Sequence, residues 1–300
     1  MSAIARMLLA LDRAGAGLRQ HEVQVDDHRI VYSDGGHGET VLLLHGFGAE
    51  SGNWNRVAKF LTSKYRVIVP TLPGWGTSTR LPNASYAYPE QVERVHRFVQ
   101  EMKLTRFHLA GHSMGGGIAA RYATRYPEEV VTLGLIAAHG LIEPNACTLR
   151  RALERGDGNW LLVKSPEDFE TLMTHLFVKR PYAPRVVVKY LEQDAIRKCE
   201  QNRKIFDDLQ KNDFPLIEQL AKIQAPTLVI WGDHDELVDV SATDVFKRGI
   251  KRAQVLILKD SGHMPLVENP RECADAYLAF LGEQKKSPQL VAGIGRAEPA

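Results

Sequence analysis

Ser113 lies in Gly111-His112-Ser113-Met114-Gly115, a match to G-x-S-x-G. A serine in this setting can attack a carbonyl when it stands on a sharp turn between a strand and a helix. The backbone at such a turn is strained. Its neighbours must lack side chains so that strand and helix can close up. Residues 107–110 read as a short buried strand, and Ile118, Ala119, Ala120, Tyr122 and Ala123 open an apolar helix. A glycine-rich turn without chemistry would explain the glycines. The strand before and the helix after favour a nucleophile.

A free hydroxyl is a poor nucleophile at neutral pH. It needs a base, an acid to orient the base, and donors for the oxyanion. Behind this kind of turn the order is Ser, then Asp or Glu, then His. The base candidate is His263, on a glycine-flanked loop after the apolar run 255–258. The leading acid candidate is Asp235, just beyond the apolar run that ends at Trp231. Asp233 and Asp239 compete with it. Asp233 suits the turn beside Gly232, and Asp239 precedes Ser241, where a helix can open.

The oxyanion donors are expected from two backbone amides: that of Met114, after the serine, and that of Phe47, where the run 41–44 breaks into His45-Gly46-Phe47-Gly48. His45 reads as a turn residue bonding nearby backbone. No metal pattern competes. His108 and His112 span a strand and a turn, and there is no Cys-x-x-Cys, EF-hand loop, Walker A or helix-opening G-x-G-x-x-G. No cofactor is expected.

The elements that must position these groups alternate along the chain. Strand signals fall at 21–25, 29–33, 41–44, 66–69, 107–110, 131–136, 227–231 and 254–258, with helical segments such as 88–102 and 118–126 between the later ones. Alternation implies a mostly parallel eight-stranded sheet flanked by helices. The closely spaced early strands imply an antiparallel start. After the sixth strand comes a gap of about ninety residues, too long for a structureless loop. Ser165-Pro166-Glu167-Asp168 is a helix start, Pro184 opens a second helix, and a third is expected over 199–209.

The chain therefore divides into an N-terminal segment (1–20) with a candidate helix, a core (21–140 and 214–282), a helical cap (141–213) and a flexible tail (283–300). The cap's aromatics belong largely to its own core. An apolar underside above the serine would also wall a pocket, with Phe169, Phe177 and Tyr182 as candidate substrate-binding residues.

Composition bounds the function classes. The 300 residues carry a net charge of +2 with 25% charged side chains, which gives no reason for nucleic-acid binding. Cys147, Cys199 and Cys273 are too few and scattered for a disulfide framework, so a cytoplasmic location is expected. Ile4, Met7, Leu8 and Leu11 share one helical face. That face is a candidate interfacial membrane contact, although a helix packed on its own domain competes.

Further motifs join these: Leu44-His45-Gly46-Phe47-Gly48, Asn53-Trp54, Leu72-Pro73-Gly74-Trp75-Gly76-Thr77-Ser78, Trp231-Gly232-Asp233-His234-Asp235 and Ser261-Gly262-His263. With them, residues 19–281 resemble the α/β-hydrolase superfamily. Ser165-Pro166-Glu167-Asp168-Phe169, Lys211-Asn212-Asp213-Phe214 and Val238-Asp239-Val240-Ser241 narrow the resemblance to bacterial serine esterases and lipases related to monoacylglycerol lipases. The relatives often carry asparagine where this chain has His112. Some carry a transmembrane anchor that is not expected here.

The resemblance implies an α/β-hydrolase fold with a helical cap after strand six. It implies a Ser113–Asp235–His263 triad and an oxyanion hole at Phe47 and Met114. The activity implied is hydrolysis of acylglycerol-type esters through an acyl-enzyme. Two alternatives remain: a carbon–carbon bond hydrolase of dienoic ring-cleavage products, and a hydrolase-fold ligand receptor with slow turnover. Dehalogenases and epoxide hydrolases of this fold carry aspartate at the turn, which Ser113 is not.

Overall fold

The apolar runs form one eight-stranded sheet in the computed structural model, which describes residues 3–141, 143–211 and 215–286. The strands are β1 (Leu18–Val25), β2 (His28–Gly35), β3 (Thr40–Leu44), β4 (Arg66–Pro70), β5 (Phe107–His112), β6 (Val130–Ile136), β7 (Thr227–Gly232) and β8 (Ala253–Leu258). Their spatial order is β1-β2-β4-β3-β5-β6-β7-β8. β2 runs antiparallel to β1 and to β4, and every other pair is parallel. The expected antiparallel start is there.

Parallel strands buried on both faces read as unbroken apolar runs. β3 shows why. Leu42 and Leu44 join one core, Val41 and Leu43 join the other, and none of the four is exposed. Helices α3 (Tyr88–Glu101) and α4 (Met114–Arg125) cover the first core. Helices α2 (Asn55–Leu61) and α11 (Pro270–Lys286) cover the second. Helix α1 (Ala3–Gly15) precedes the sheet, while α9 (Ala242–Gly249) and α10 (Pro265–Glu268) follow β7 and β8.

Because β3 has β4 on one side and β5 on the other, the winding reverses between β3 and β5. A crevice opens beyond the carboxyl ends of strands at such a reversal. The segments leaving β3, β5, β7 and β8 carry Phe47, Ser113, Asp235 and His263.

Between β6 and β7 lie α5 (Thr148–Arg155), α6 (Pro166–Leu176), α7 (Arg185–Arg197) and α8 (Cys199–Leu209). The helix start at Ser165 is a full capping box, with the Ser165 hydroxyl on the Asp168 amide and the Asp168 carboxylate on the Ser165 amide. The inner face of α8 does not stay within the insertion, since Ile205 and Leu209 pack into the main core.

Four details differ from the sequence expectations. β1 starts at Leu18, inside the segment assigned to the N-terminus. Helix α4 starts at Met114 rather than at 118, because its first turn holds Gly115, Gly116 and Gly117, poor helix formers that packing overrides. Helix α5 was not anticipated: its N-cap is the thiol of Cys147, which accepts the Arg150 N–H at 3.3 Å, where a hydroxyl or carboxylate is the usual signal. Residues 283–286, assigned to the tail, belong to α11, which continues to Lys286. The cap–core boundary at 213/214 and residues 287–300 lie outside the described residues.

Candidate active site

Ser113 links β5 directly to α4 with φ +52° and ψ −120°, a conformation that costs a non-glycine residue on the order of 1–3 kcal/mol. The close approach around it explains the flanking glycines. A Cβ on Gly111 would lie 2.1 Å from the Gly115 carbonyl oxygen, and one on Gly115 would lie 2.4 Å from that of Leu44. Main-chain bonds hold the strained residue. Its N–H donates to Ile136 at 2.9 Å, and its carbonyl accepts from Gly117 and His139, each at 3.0 Å.

The Ser113 hydroxyl lies 3.0 Å from His263 Nε2. His263 Nδ1 lies 2.9 Å from Asp235 Oδ2 and 3.0 Å from Oδ1. A carboxylate only accepts, so Nδ1 carries the proton and Nε2 presents its lone pair to the hydroxyl. Asp235 is itself fixed: its Oδ1 accepts the Leu237 N–H at 2.9 Å and the Val238 N–H at 3.0 Å. All three residues are buried. This chain of bonds can move a proton from a hydroxyl to an imidazole without moving the imidazole.

The competing aspartates have other partners. Asp233 accepts from His234 Nδ1 at 2.7 Å and from the Ser261 N–H at 3.3 Å. Asp239 accepts the Ser241 N–H at 2.9 Å, just before α9.

Phe47 and Met114 border the same cavity as Ser113. Among the described residues neither of their amides bonds a backbone carbonyl, which leaves both available to a negative oxygen. The Phe47 ring packs edge-on to Trp75, centroids 4.8 Å apart. His45 supports this turn from below. Its Nδ1–H donates to Gly46 O at 2.8 Å, and its Nε2 accepts the Leu72 N–H at 2.9 Å. Burial pulls its pKa down to about 4, so it stays neutral.

His263 is gripped through its main chain. Its N–H donates to Leu176 O, at the end of α6, at 3.0 Å. Its carbonyl accepts from His112 Nε2 at 2.8 Å. Burial, with His263 alongside, pulls the pKa of His112 down to about 3. Sequence reasoning assigned His112 no role; its position next to Ser113 was the available signal.

Ser113 opens into a cavity of about 790 Å³ between the sheet and helices α5–α8. Phe169, Phe177 and Tyr182 all border it. They do so differently: Phe169 is 4% exposed and Tyr182 is 85% exposed, so the one is wall and the other rim. Leu149, Leu161, Val163, Leu172 and Leu237 add to the apolar lining. Sequence reasoning missed Leu8 and Leu9 of α1, His139, and the buried Glu143, whose pKa burial raises. His139 had a signal, since it stands just past the carboxyl end of β6. Leu8 and Leu9 had none, because a helix's tertiary neighbour is not written in its own period.

Residues 39–270 match the family described as alpha/beta hydrolase fold. Lipase 1 of Psychrobacter immobilis is 36% identical over 261 residues, which cover 84% of this chain and 80% of that lipase. Monoacylglycerol lipase ABHD6 of Homo sapiens is 31% identical over 293 residues, covering 93% of this chain and 87% of that protein. The solved structure of a membrane phospholipase A, described as a novel bacterial virulence factor, superposes with a TM-score of 0.92 at 43% identity, covering 95% of this chain and 93% of that one.

Proposed function

The chain belongs to the α/β-hydrolase family as an ester hydrolase of the carboxylesterase/lipase type, and from that premise we propose that it cleaves acylglycerol-type esters through a Ser113 acyl-enzyme. The observation that carries this reading is the unbroken Ser113–His263–Asp235 bond chain opening into the cavity.

Ser113 Oγ attacks the ester carbonyl as His263 Nε2 takes its proton. Asp235 stabilises the imidazolium and keeps its Nδ1–H in place. The Phe47 and Met114 amides receive the charge that develops on the carbonyl oxygen. His263 then protonates the leaving alcohol, and a water activated by the same nitrogen releases the acid.

The cavity volume of about 790 Å³ falls in the range of about 300–1,000 Å³ usual for small-molecule sites. Its aliphatic and aromatic walls, Phe169 and Phe177 among them, suit an acyl chain. A dienoate-cleaving hydrolase would call for a more basic, polar cap. Hydrolysis of p-nitrophenyl esters of increasing chain length, run beside a dienoic ring-cleavage product, separates the two. Turnover of the esters and none of the dienoate is expected; the reverse overturns the reading.

The N-terminal helix adds a membrane contact to this proposal. Ile4, Met7 and Leu11 of α1 are 58%, 55% and 59% exposed, while Leu8 and Leu9 border the cavity. Among the described residues no helix is long and apolar enough to cross a membrane. An exposed apolar stripe beside the substrate cavity fits a peripheral contact with lipid. Co-sedimentation with phospholipid vesicles that is unchanged in an Ile4→Ser, Met7→Ser, Leu11→Ser variant would refute it.

A further inference from the structure

His139 stands on the loop after β6, and its N–H donates to the Ser113 carbonyl at 3.0 Å. Its ring is half-buried and borders the Ser113 cavity. Its Nδ1 lies 2.7 Å from the Tyr88 hydroxyl. Tyr88 is buried, and burial pushes its pKa up to about 12, so the phenol keeps its proton. Among the described residues that proton has one acceptor, His139 Nδ1. The opposite polarity would leave a buried hydroxyl proton unpaired, which costs about 1–3 kcal/mol. Tyr88 therefore donates, Nδ1 accepts, and the single imidazole proton sits on Nε2.

Tyr88 is itself held. The Arg121 guanidinium lies 4.0 Å over its ring and donates to Gly117 O at 3.2 Å and Gly140 O at 3.3 Å. Burial, followed by Arg121 and His263, pulls the His139 pKa down to about 4, so the ring is neutral at working pH. The edge bearing Nδ1 faces Tyr88. The N–H on the other edge has no partner among the described residues and belongs to a ring that borders the substrate cavity.

We propose that His139 is a substrate-binding residue that donates its Nε2–H to a hydroxyl or ether oxygen in the alcohol part of the ester, so that polyol esters are favoured over esters of simple alkanols. The assignment to the alcohol side follows from chemistry. A hydrocarbon acyl chain has no acceptor, and the scissile carbonyl oxygen is served by the backbone amides. A hydroxyl adjoining the ester oxygen is the group left to receive a fixed donor. This inference rests on the acylglycerol reading and refines it.

The test compares kcat/KM for a monoacylglycerol with that for the propyl ester of the same acyl chain. Wild type is expected to favour the glycerol ester. His139→Phe removes the donor and should lower the glycerol-to-propyl ratio about tenfold, the worth of one good hydrogen bond. His139→Gln keeps an N–H and should hold the ratio nearer to wild type. Tyr88→Phe leaves His139 in place, frees its tautomer and should lower the ratio partway, which gives a reading even if His139→Phe does not fold. A ratio unchanged in both phenylalanine variants overturns the proposal alone. A wild type that cleaves p-nitrophenyl esters but no glycerol ester overturns the acylglycerol reading and this inference together.

Discussion

His112 donates its Nε2–H to the main-chain carbonyl of His263 across 2.8 Å, with the two rings 5.0 Å apart. Because a carbonyl only accepts, this bond fixes the His112 tautomer. The bare Nδ1 is buried without a partner among the described residues, close against Gly46 of the turn that carries Phe47. One neutral imidazole thus lies between His263, Ser113 and the turn of the proposed oxyanion site.

His112→Phe should lower kcat about ten- to a hundredfold with little change in KM, since it releases the His263 main chain and leaves a carbonyl unpaired. His112→Asn keeps an amide N–H and should retain more activity. Steady-state kinetics on both variants checks this; equal and near-wild-type kcat values would show that the bond positions nothing.

Asp235→Asn should reduce turnover far more than Asp233→Asn or Asp239→Asn. Asparagine keeps the shape but favours the wrong histidine tautomer, a loss of about ten-thousandfold in a well-studied serine protease. The bond from His263 Nδ1 goes to Asp235, whereas Asp239 accepts the Ser241 N–H just before α9. If Asp239→Asn proved the crippling change, the acid would be misassigned.

Acid should destabilise the fold. His45, His112 and His139 have pKa values pulled to about 4, 3 and 4, each chiefly by burial, against about 6.5 in an unfolded chain. Below about pH 6.5 the unfolded state binds protons that the folded state refuses. Stability is therefore full above that pH and declines as pH falls toward the folded values, by about 1.4 kcal/mol per pH unit for each histidine. Asp208, held near 2 by Lys204, Lys211 and the Tyr86 amide against the desolvation of its burial, adds to the loss at lower pH. Glu50 and Glu143 act oppositely, because burial raises their pKa values. Urea denaturation from pH 7 to 4.5 should show the decline, shallower by about one proton in His112→Asn; a flat profile would contradict it.

Phe169→Ala should move the chain-length maximum of ester hydrolysis to longer acyl chains, because it removes a buried wall residue. Each added buried methylene is worth about 0.8 kcal/mol, or about fourfold in kcat/KM, until the pocket fills. The same change should lower stability by about 3–5 kcal/mol. Tyr182→Ala, at the exposed rim, should do much less of either. A maximum that stays put in a folded Phe169→Ala enzyme would remove Phe169 from the wall.

The centre of the sheet was legible because strands such as β3, β5 and β7 are buried on both faces, which writes them as unbroken runs such as 41–44. The residues now joined at the candidate site were legible for a different reason: glycines at Gly111 and Gly115 mark where backbones touch. Helix α5 was hidden by its thiol cap, and the first turn of α4 by its glycines. His112 and His139 were hidden because their roles depend on partners far away in sequence, His263 and Tyr88. The contribution of α1 to the cavity was hidden likewise, since it depends on tertiary neighbours that the helix's own period does not record.

The most direct test of the account is the hydrolysis rate of a medium-chain p-nitrophenyl ester by purified Ser113→Ala, with its fold checked by circular dichroism. A folded protein is expected whose kcat has fallen on the order of a millionfold, as for loss of the nucleophile in a well-studied serine protease. Retention of a tenth of the wild-type rate would contradict it.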